Sequence, residues 1–504
     1  MNSTFAVKLL RGGWLALGSL AWGAVGQTAP AFYNVRDFGA KGDGANLDST
    51  GINAAIDAAT SHGGGTIYVP AGTYRSASIR LKSNVSLYLD SGAVIEAAER
   101  GNGAEYDAPE ANPSKRYQDF GHTFFQNSLL WGIGLKNVTI SGPGEIYGKG
   151  LVRDSSKTPT DGNKSIALRE CQNVTIRDVT IRHGGWFGIL TTGVDHLTID
   201  NLKIDTNRDG MDVDCCRDVH ISNCTVNSPH DDGICLKSSF ALGYARPTED
   251  VSITNCHVSG FEEGSVLDGT YKRKGGATGR IKFGTESNGG FKNIAISNCV
   301  FDHCCGFALE TVDGGDLEDV VISNITMRDI VNAPIFLRIG RRMRGPAGAP
   351  IGKLRRVSIS NVRIEGAKES SIIAGIPGHP IEDVSLSGIR VLSDGGADSA
   401  QADTVPKEDE TGYPEPGALG KMPGHGFYVR HAANIEFRDV ELMTSRPDGR
   451  PPVVADDVDG IDFFLMKSSS SGAFAKLTNA RNVRTTFVDG VPDGTHPAID
   501  KGSL

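Results

Sequence analysis

The chain has no surplus of basic residues: its formal net charge is −9, with 51 Lys and Arg against 60 Asp and Glu. Binding to nucleic acid through phosphates needs a basic footprint, so a nucleic-acid partner is excluded. Aromatic residues are sparse, at 7%. Neither a disordered nor a collagen-like composition is present, and the 64 glycines point to a globular chain with many turns. The nine cysteines include no CxxC pair and no zinc-like spacing. Beyond residue 26 no run is long and apolar enough to span a bilayer.

At the amino end, Lys8 and Arg11 precede "WLALGSLAWGAVG" at 14–26, which ends in the small-x-small triplet Ala24-Val25-Gly26. That is the layout of an export signal, with cleavage expected near Gln27. The expected mature protein is secreted or periplasmic, free of the membrane and monomeric. Export permits disulfides, and an odd cysteine count leaves at least one thiol free. Cys224, Cys256 and Cys299, however, each follow Asn in "ISNC", "ITNC" and "ISNC", a repeat position that suits small buried core residues.

One phrase recurs: "NVTISG" at 137, "NVTIRD" at 173, "HLTIDN" at 196, "DVHISN" at 218, "DVSITN" at 250, "NIAISN" at 293, "DVVISN" at 319, "RVSISN" at 356 and "DVSLSG" at 383. Apolar and polar residues alternate within it, the period of a strand. From 173 to 218 the spacing is 23 and then 22 residues, and later gaps lengthen as loops intervene. Short strands at this repeat length, without helices between them, predict an all-β right-handed parallel β-helix. A leucine-rich repeat would show regular leucines and a helix per repeat, and neither is present. Asn223, Asn255, Asn298, Asn324 and Asn361 share one repeat position, where stacked amides can form a ladder.

A solenoid needs covered ends. Residues 48–61, "DSTGINAAIDAATS", predict an amphipathic amino-terminal capping helix starting at an Asp or Ser cap. A single β-helix domain is expected over 31–487, interrupted by loops at about 238–249, 264–279 and 393–425, with a tail at 488–504. The loops could wall off one end of a cleft, which favours exo action.

Aligning the coils on their turn glycines puts Met211, Val213, Ile234 and Leu236 inward. Asp212, Asp214, Cys235 and Lys237 then face outward. Asp209 falls one coil from Asp232, 23 residues on, and stacked strands lie about 4.8 Å apart. With Asp231 beside Asp232, three carboxylates meet, and their mutual repulsion holds at least one proton at neutral pH. An acid beside bases is what glycoside hydrolysis requires. A calcium site is the alternative for such an oxygen-only cluster.

The chain resembles glycoside hydrolase family 28, the polygalacturonase family of the pectate-lyase-like β-helix superfamily. The likeness is carried by "YNVRDFGAKGDG" at 33, "GGGTIYVPAGTY" at 63, "SGPGEIYGKG" at 141, "NRDGMD" at 207 and "HDDG" at 230. The resemblance implies Asp231 as proton donor and Asp209 with Asp232 as the pair that activates water. It also implies inversion, a pectin-like polysaccharide or oligosaccharide substrate, and no metal or cofactor. Asn207 matches the motif's Asn, and Arg208 replaces its Thr.

The family's His-Gly motif is absent, either at Gly279-Arg280 or, if "EEGSVLDG" is the matching coil, at Glu263. Its cationic triplet is replaced at Ala308 and Glu310, yet Arg280-Ile281-Lys282 spells it one coil early. Candidate substrate contacts are therefore Asn207, Arg280, Lys282, Lys237, Glu310 and Arg338, with Trp186 as a sugar-stacking or core aromatic. Arg341, Arg342, Arg344 and Lys272 to Lys274 form a basic rim or ordinary solvated loop charges. A glutamate at 310 would repel a uronate, which opens the site to a neutral sugar such as rhamnose. The rival readings are a calcium-dependent β-helix polysaccharide lyase and a carbohydrate-binding β-helix without catalysis.

Overall fold

Each recurring phrase becomes one strand of a stack: Lys136–Ser141, Gln172–Arg177, Asp195–Asp200, Arg217–Ser222 and Thr248–Thr254. The computed structural model describes residues 32–504 apart from 102, 119, 154–160 and 470–471. The expected export signal at 1–26 lies outside the described residues. Pairing is parallel and in register, so Val138, Val174, Leu197, Val219, Val251 and Ile294 form one column. All six are 3% exposed or less.

Corners explain why Asn and Asp punctuate the repeat. Opening residues have positive φ, 57° at Asn173, 55° at Asp218 and 58° at Asp250. So do the closing ones, 58° at Asn223, 55° at Asn255 and 56° at Asn298. This left-handed region is costly for most L-residues and easiest for Asn and Asp after Gly. The expected amide ladder is present: Asn255 donates to Asn223 at 3.3 Å, Asn324 to Asn298 at 3.1 Å and Asn361 to Asn324 at 2.7 Å. It is broken once, where Asn298 reaches Thr254 instead.

Three strands per coil give the right-handed parallel β-helix three faces. One face is built from Phe187–Thr192, Asp209–Asp214, Ile234–Ser238, Ile281–Ser287, Phe307–Thr311 and Ile335–Ile339. A second holds the phrases, and a third holds short strands such as Lys203–Asp205 and Thr225–Asn227. Towards the carboxyl end the strand pairing runs on through the corners, and Leu317–Arg328, with Asn324 still at a φ of 58°, pairs with both Phe291–Ser297 and Val300–Asp302. Cys224, Cys256 and Cys299 are core residues, and all nine cysteines are buried free thiols. Each sits at a stacked position where packing, not cross-linking, holds it.

The capping helix runs Ser49–Ser61 and buries Ile52, Ala55, Ile56 and Ala59. Asp48 does not cap it through its side chain. Its carboxylate instead accepts the amides of Lys41 at 2.6 Å and Gly42 at 3.1 Å, fixing the preceding turn. The expected tail is a structured element: Gly494–Ser503 pairs antiparallel with Ala475–Val488 and covers the last rung. No helix among the described residues is long and apolar enough to cross a membrane.

Core columns and corner ladders should differ sharply in weight. Phe301→Ala, at a fully buried position, is expected to cost about 3–5 kcal/mol. Asn324→Ala, which removes exposed amide hydrogen bonds, should cost about 0.5–1.5 kcal/mol. Denaturant unfolding midpoints of the two variants check this.

Candidate active site

The site face places Met211 against Ile234 and Ile234 against Ile281, so "NRDGMD", "HDDG" and "GRIK" lie on three successive rungs. Ala308 follows Lys282 on the next rung. The Arg280-Ile281-Lys282 triplet therefore directly adjoins the aspartates. The segment at 262–269 is a run of turns rather than a rung. Its Glu263 is taken up by His183 at 2.6 Å and Arg153 at 2.7 Å.

Asp209, Asp231 and Asp232 each bring an oxygen to within 4.8 Å of the others. Asp209 and Asp232 are 4% and 3% exposed, while the Asp231 side chain keeps 28%. Burial pushes Asp209 well above the usual carboxylate range, with Asp231 and Asp212 adding repulsion. Burial, then Asp232, also raises Asp231, against the pull of Arg208. Burial acts the same way on Asp232, but Lys282, Arg280 and Lys237 outweigh it and hold Asp232 below the usual range. The contacts match: Arg280 Nε donates to Asp232 Oδ1 at 2.8 Å, and Lys282 Nζ lies 3.5 Å from Oδ2. Asp232 is thus the strongest acid of the three, and Asp209 and Asp231 hold their protons more tightly than ordinary carboxyls.

The same contacts argue against a calcium site. Arg280 and Lys282 already face both oxygens of Asp232, and Arg208 Nη2 donates to Asp231 Oδ2 at 2.6 Å. A divalent cation would have to displace three positive groups.

Several expected contacts are elsewhere. The outward side of these rungs is not solvated, because insertion loops lie over it. Asp212 and Asp214 are fully buried. Asp212 accepts from His122 Nε2 at 2.8 Å, and Asp214 from the Ser239 amide at 2.7 Å. Lys237 lies beneath the acids, 3.2 Å from Glu286 and 3.7 Å from Asp212, so it sets their charge rather than meeting solvent. Arg338 is 2% exposed and donates to the carbonyls of Gly375 and Asp409, clamping the loop at 396–426. Glu310 is fully buried, 3.6 Å from Lys282. Asn207 stays half-buried beside the acids, its carbonyl accepting the His230 amide at 3.0 Å. Trp186 is 8% exposed, and the Arg208 guanidinium sits 4.8 Å over its ring, so that face is taken.

Rim cations are paired as well: Arg341 with Glu410, Arg342 with Asp313, Arg344 with Glu286 and Arg273 with Asp329. Four residues that matter were not read from the sequence: His122, Glu286, Tyr413 and Glu415. His122 belongs to a four-residue helical turn without periodicity. Glu286 is hidden by a register shift in its own strand. Only its nearness to the cationic triplet could have signalled it.

A family model described as rhamnogalacturonase A/epimerase, pectate lyase-like, matches residues 32–235. An exo-poly-alpha-D-galacturonosidase of Dickeya chrysanthemi is 24% identical over 417 residues, covering 70% of this chain and 65% of its own length. This chain thus spans just under two thirds of that relative. A family 28 exopolygalacturonase structure from Yersinia enterocolitica matches at 18% identity and a TM-score of 0.65, over 86% of this chain and 78% of that one. An exopolygalacturonase structure from Thermotoga maritima matches at 18% identity and a TM-score of 0.59, over 95% and 96%. The chain shares the right-handed parallel β-helix fold of these family 28 polygalacturonase structures.

Within that family's pattern, Arg208 now has a physical reading. It replaces the motif's Thr and ties the candidate proton donor Asp231 to the Trp186 face. Glu310 is the other departure. Burial pushes it up to about 7 despite Lys282 and Arg280, and neither of its oxygens has a hydrogen-bond partner among the described residues.

A carboxyl whose folded pKa is raised favours folding while protonated in the folded state and loses that contribution as pH rises through the folded value. From its ordinary 4.5 up to about 7, Glu310 should therefore lower stability by at most about 1.4 kcal/mol per pH unit. Glu310→Gln is expected to melt above the wild type at pH 8 and to match it near pH 4, as read by thermal unfolding at the two pH values.

Proposed function

We propose that this chain is an exported, inverting glycoside hydrolase that cleaves a pectin-like polysaccharide from a chain end. The observation that carries the reading is the trio Asp209, Asp231 and Asp232 in mutual contact, with Lys282 and Arg280 set on Asp232 and lowering its pKa while those of its two neighbours are raised. Asp231, the most exposed of the three, gives its proton to the glycosidic oxygen as the bond to the anomeric carbon breaks. Water held between Asp232 and Asp209 attacks that carbon, and Asp232 takes the water's proton. Two carboxyls and one carboxylate thus suffice for the acid and base steps, without a redox change.

Exo action is supported by chain segments that pack over the site rungs. On the amino-terminal side the helical turn Phe120–Thr123 sets His122 on Asp212. On the carboxyl-terminal side the loop at 396–426 sets Tyr413 on Lys282 and Glu415 on Arg280. A cleft walled off at one end admits a chain terminus more readily than an unbroken polymer. The nearest oxygens of the trio lie within 4.8 Å of one another, and the configuration of the released sugar distinguishes inversion from retention.

The test is a screen of pectic polysaccharides and oligosaccharides, with products followed by mass and by NMR of the new anomeric centre. Hydrolysis from the end with inversion is expected, unaffected by chelator. An unsaturated product absorbing in the ultraviolet and abolished by chelator would overturn the reading in favour of a lyase. Asp231→Asn, Asp209→Asn and Asp232→Asn should each lower kcat by about 100-fold or more.

The pH profile gives an independent check. Arg208 opposes the raising of the Asp231 pKa, so Arg208→Ala should push it higher. Because Asp231 acts in its protonated form, the alkaline limb of kcat/KM should move to higher pH in this variant. A limb that stays fixed or moves down would remove Asp231 from the donor role.

A further inference from the structure

The loop at 396–426 leaves the solenoid three rungs beyond Arg280, reaches back to the cleft and rejoins the stack on the fourth. There Glu415 grips Arg280 with both oxygens: Arg280 Nη2 donates to Oε1 at 2.5 Å and Nη1 to Oε2 at 3.2 Å. This paired geometry is how a guanidinium receives any carboxylate, including that of a uronic acid. Lys282 Nζ lies 3.9 Å from the same Oε1 and donates to the Tyr413 hydroxyl at 3.2 Å. Thr285 donates to that hydroxyl at 3.0 Å.

The loop is held in place at its base. Arg338 donates to the carbonyls of Glu408 and Asp409, the Arg341 amide to the Glu410 carbonyl at 2.6 Å, and Arg341 pairs with the Glu410 carboxylate at 2.7 Å. Glu415 is thus a fixed part of the cleft wall.

We propose that Glu415 supplies, from the chain itself, the carboxylate that Arg280 and Lys282 would otherwise take from substrate, so that the sugar seated over this pair is uncharged. The inference rests on the hydrolase reading above and specifies one subsite of it. Charge balance supports it. Two buried cations, Arg280 and Lys282, face two carboxylates, Asp232 and Glu415. Glu310, the third acid nearby, is pushed up to about 7 by burial. Below about pH 7 the group is neutral before any ligand enters, and above it Glu310 adds negative charge; a uronate would add an unbalanced negative charge where water is largely excluded. A neutral sugar, or a uronate whose carboxyl is methyl-esterified, adds none. It can also lie against Tyr413, whose ring is half-exposed beside the pair.

The experiment is calorimetric binding with Asp231→Asn, which removes the proton donor while leaving this pair intact. The ligands are trigalacturonate and its fully methyl-esterified form. The expected result is a preference for the ester of roughly tenfold or more. In the double variant Asp231→Asn/Glu415→Gln the ratio should shift by at least about tenfold towards the acid. Tighter binding of the acid with Glu415 present overturns the proposal, as does a ratio unchanged by Glu415→Gln or the absence of binding by either ligand. The preference of Asp231→Asn alone decides the matter if the double variant fails to fold. Wild-type product analysis reads the hydrolase assignment separately: altered binding ratios without hydrolysis would sink that assignment and leave the specificity of the subsite standing.

Discussion

Parallel register is the constraint on which everything else depends. Once Val174, Leu197, Val219 and Val251 share an inward column, every residue of every rung has its direction assigned, and a slip by one would turn the core outward. That is why residues 23 apart in sequence, Asp209 and Asp232, become neighbours without any local motif joining them. The corners enforce the register: an Asn or Asp with positive φ at each end of a phrase allows one turn of chain and no drift.

The site uses this register in an unusual environment. The outward side of a β-helix rung normally meets water, but here Asp212, Asp214, Lys237, Arg280, Lys282, Glu286 and Glu310 are all buried. Charges so placed persist only when each has a partner. The pairs run along the axis as a continuous alternation, from His122 with Asp212, through Lys237 with Glu286, to Arg280 and Lys282 with Asp232 and Glu415. The distinct proton affinities of the three aspartates follow from their places in this chain of charges. Asp232 touches two cations, Asp231 touches one, and Asp209 is left mainly with burial and like charges.

The scaffold was legible because its signals are local. Alternation within each phrase, Asn and Asp at corners, and glycine-aligned rungs are all readable over a few residues, and they sufficed to bring Asp209, Asp231 and Asp232 together with Arg280 and Lys282. Burial of the outward side was not legible. It is imposed by chain far away in sequence, such as Glu415 against Arg280 and His122 against Asp212, and nothing local to either partner announces the pairing. Lys237, Glu310 and Arg338 were therefore expected at the substrate surface, whereas they lie beneath it, carrying charge or holding a loop. The closing strand at Gly494–Ser503 was missed for a related reason: its exposed, weakly alternating sequence takes its form from the edge it covers.

That closing strand has a consequence of its own. A parallel β-helix ends in an edge whose donors and acceptors are phased for another parallel rung, and such an edge invites neighbours. Gly494–Ser503 runs against the strand it pairs with, and its residues are mostly solvent-exposed. A second solenoid arriving there meets a strand that runs against the stack and carries no buried column of its own, so the apolar rows of the core are not offered for continuation.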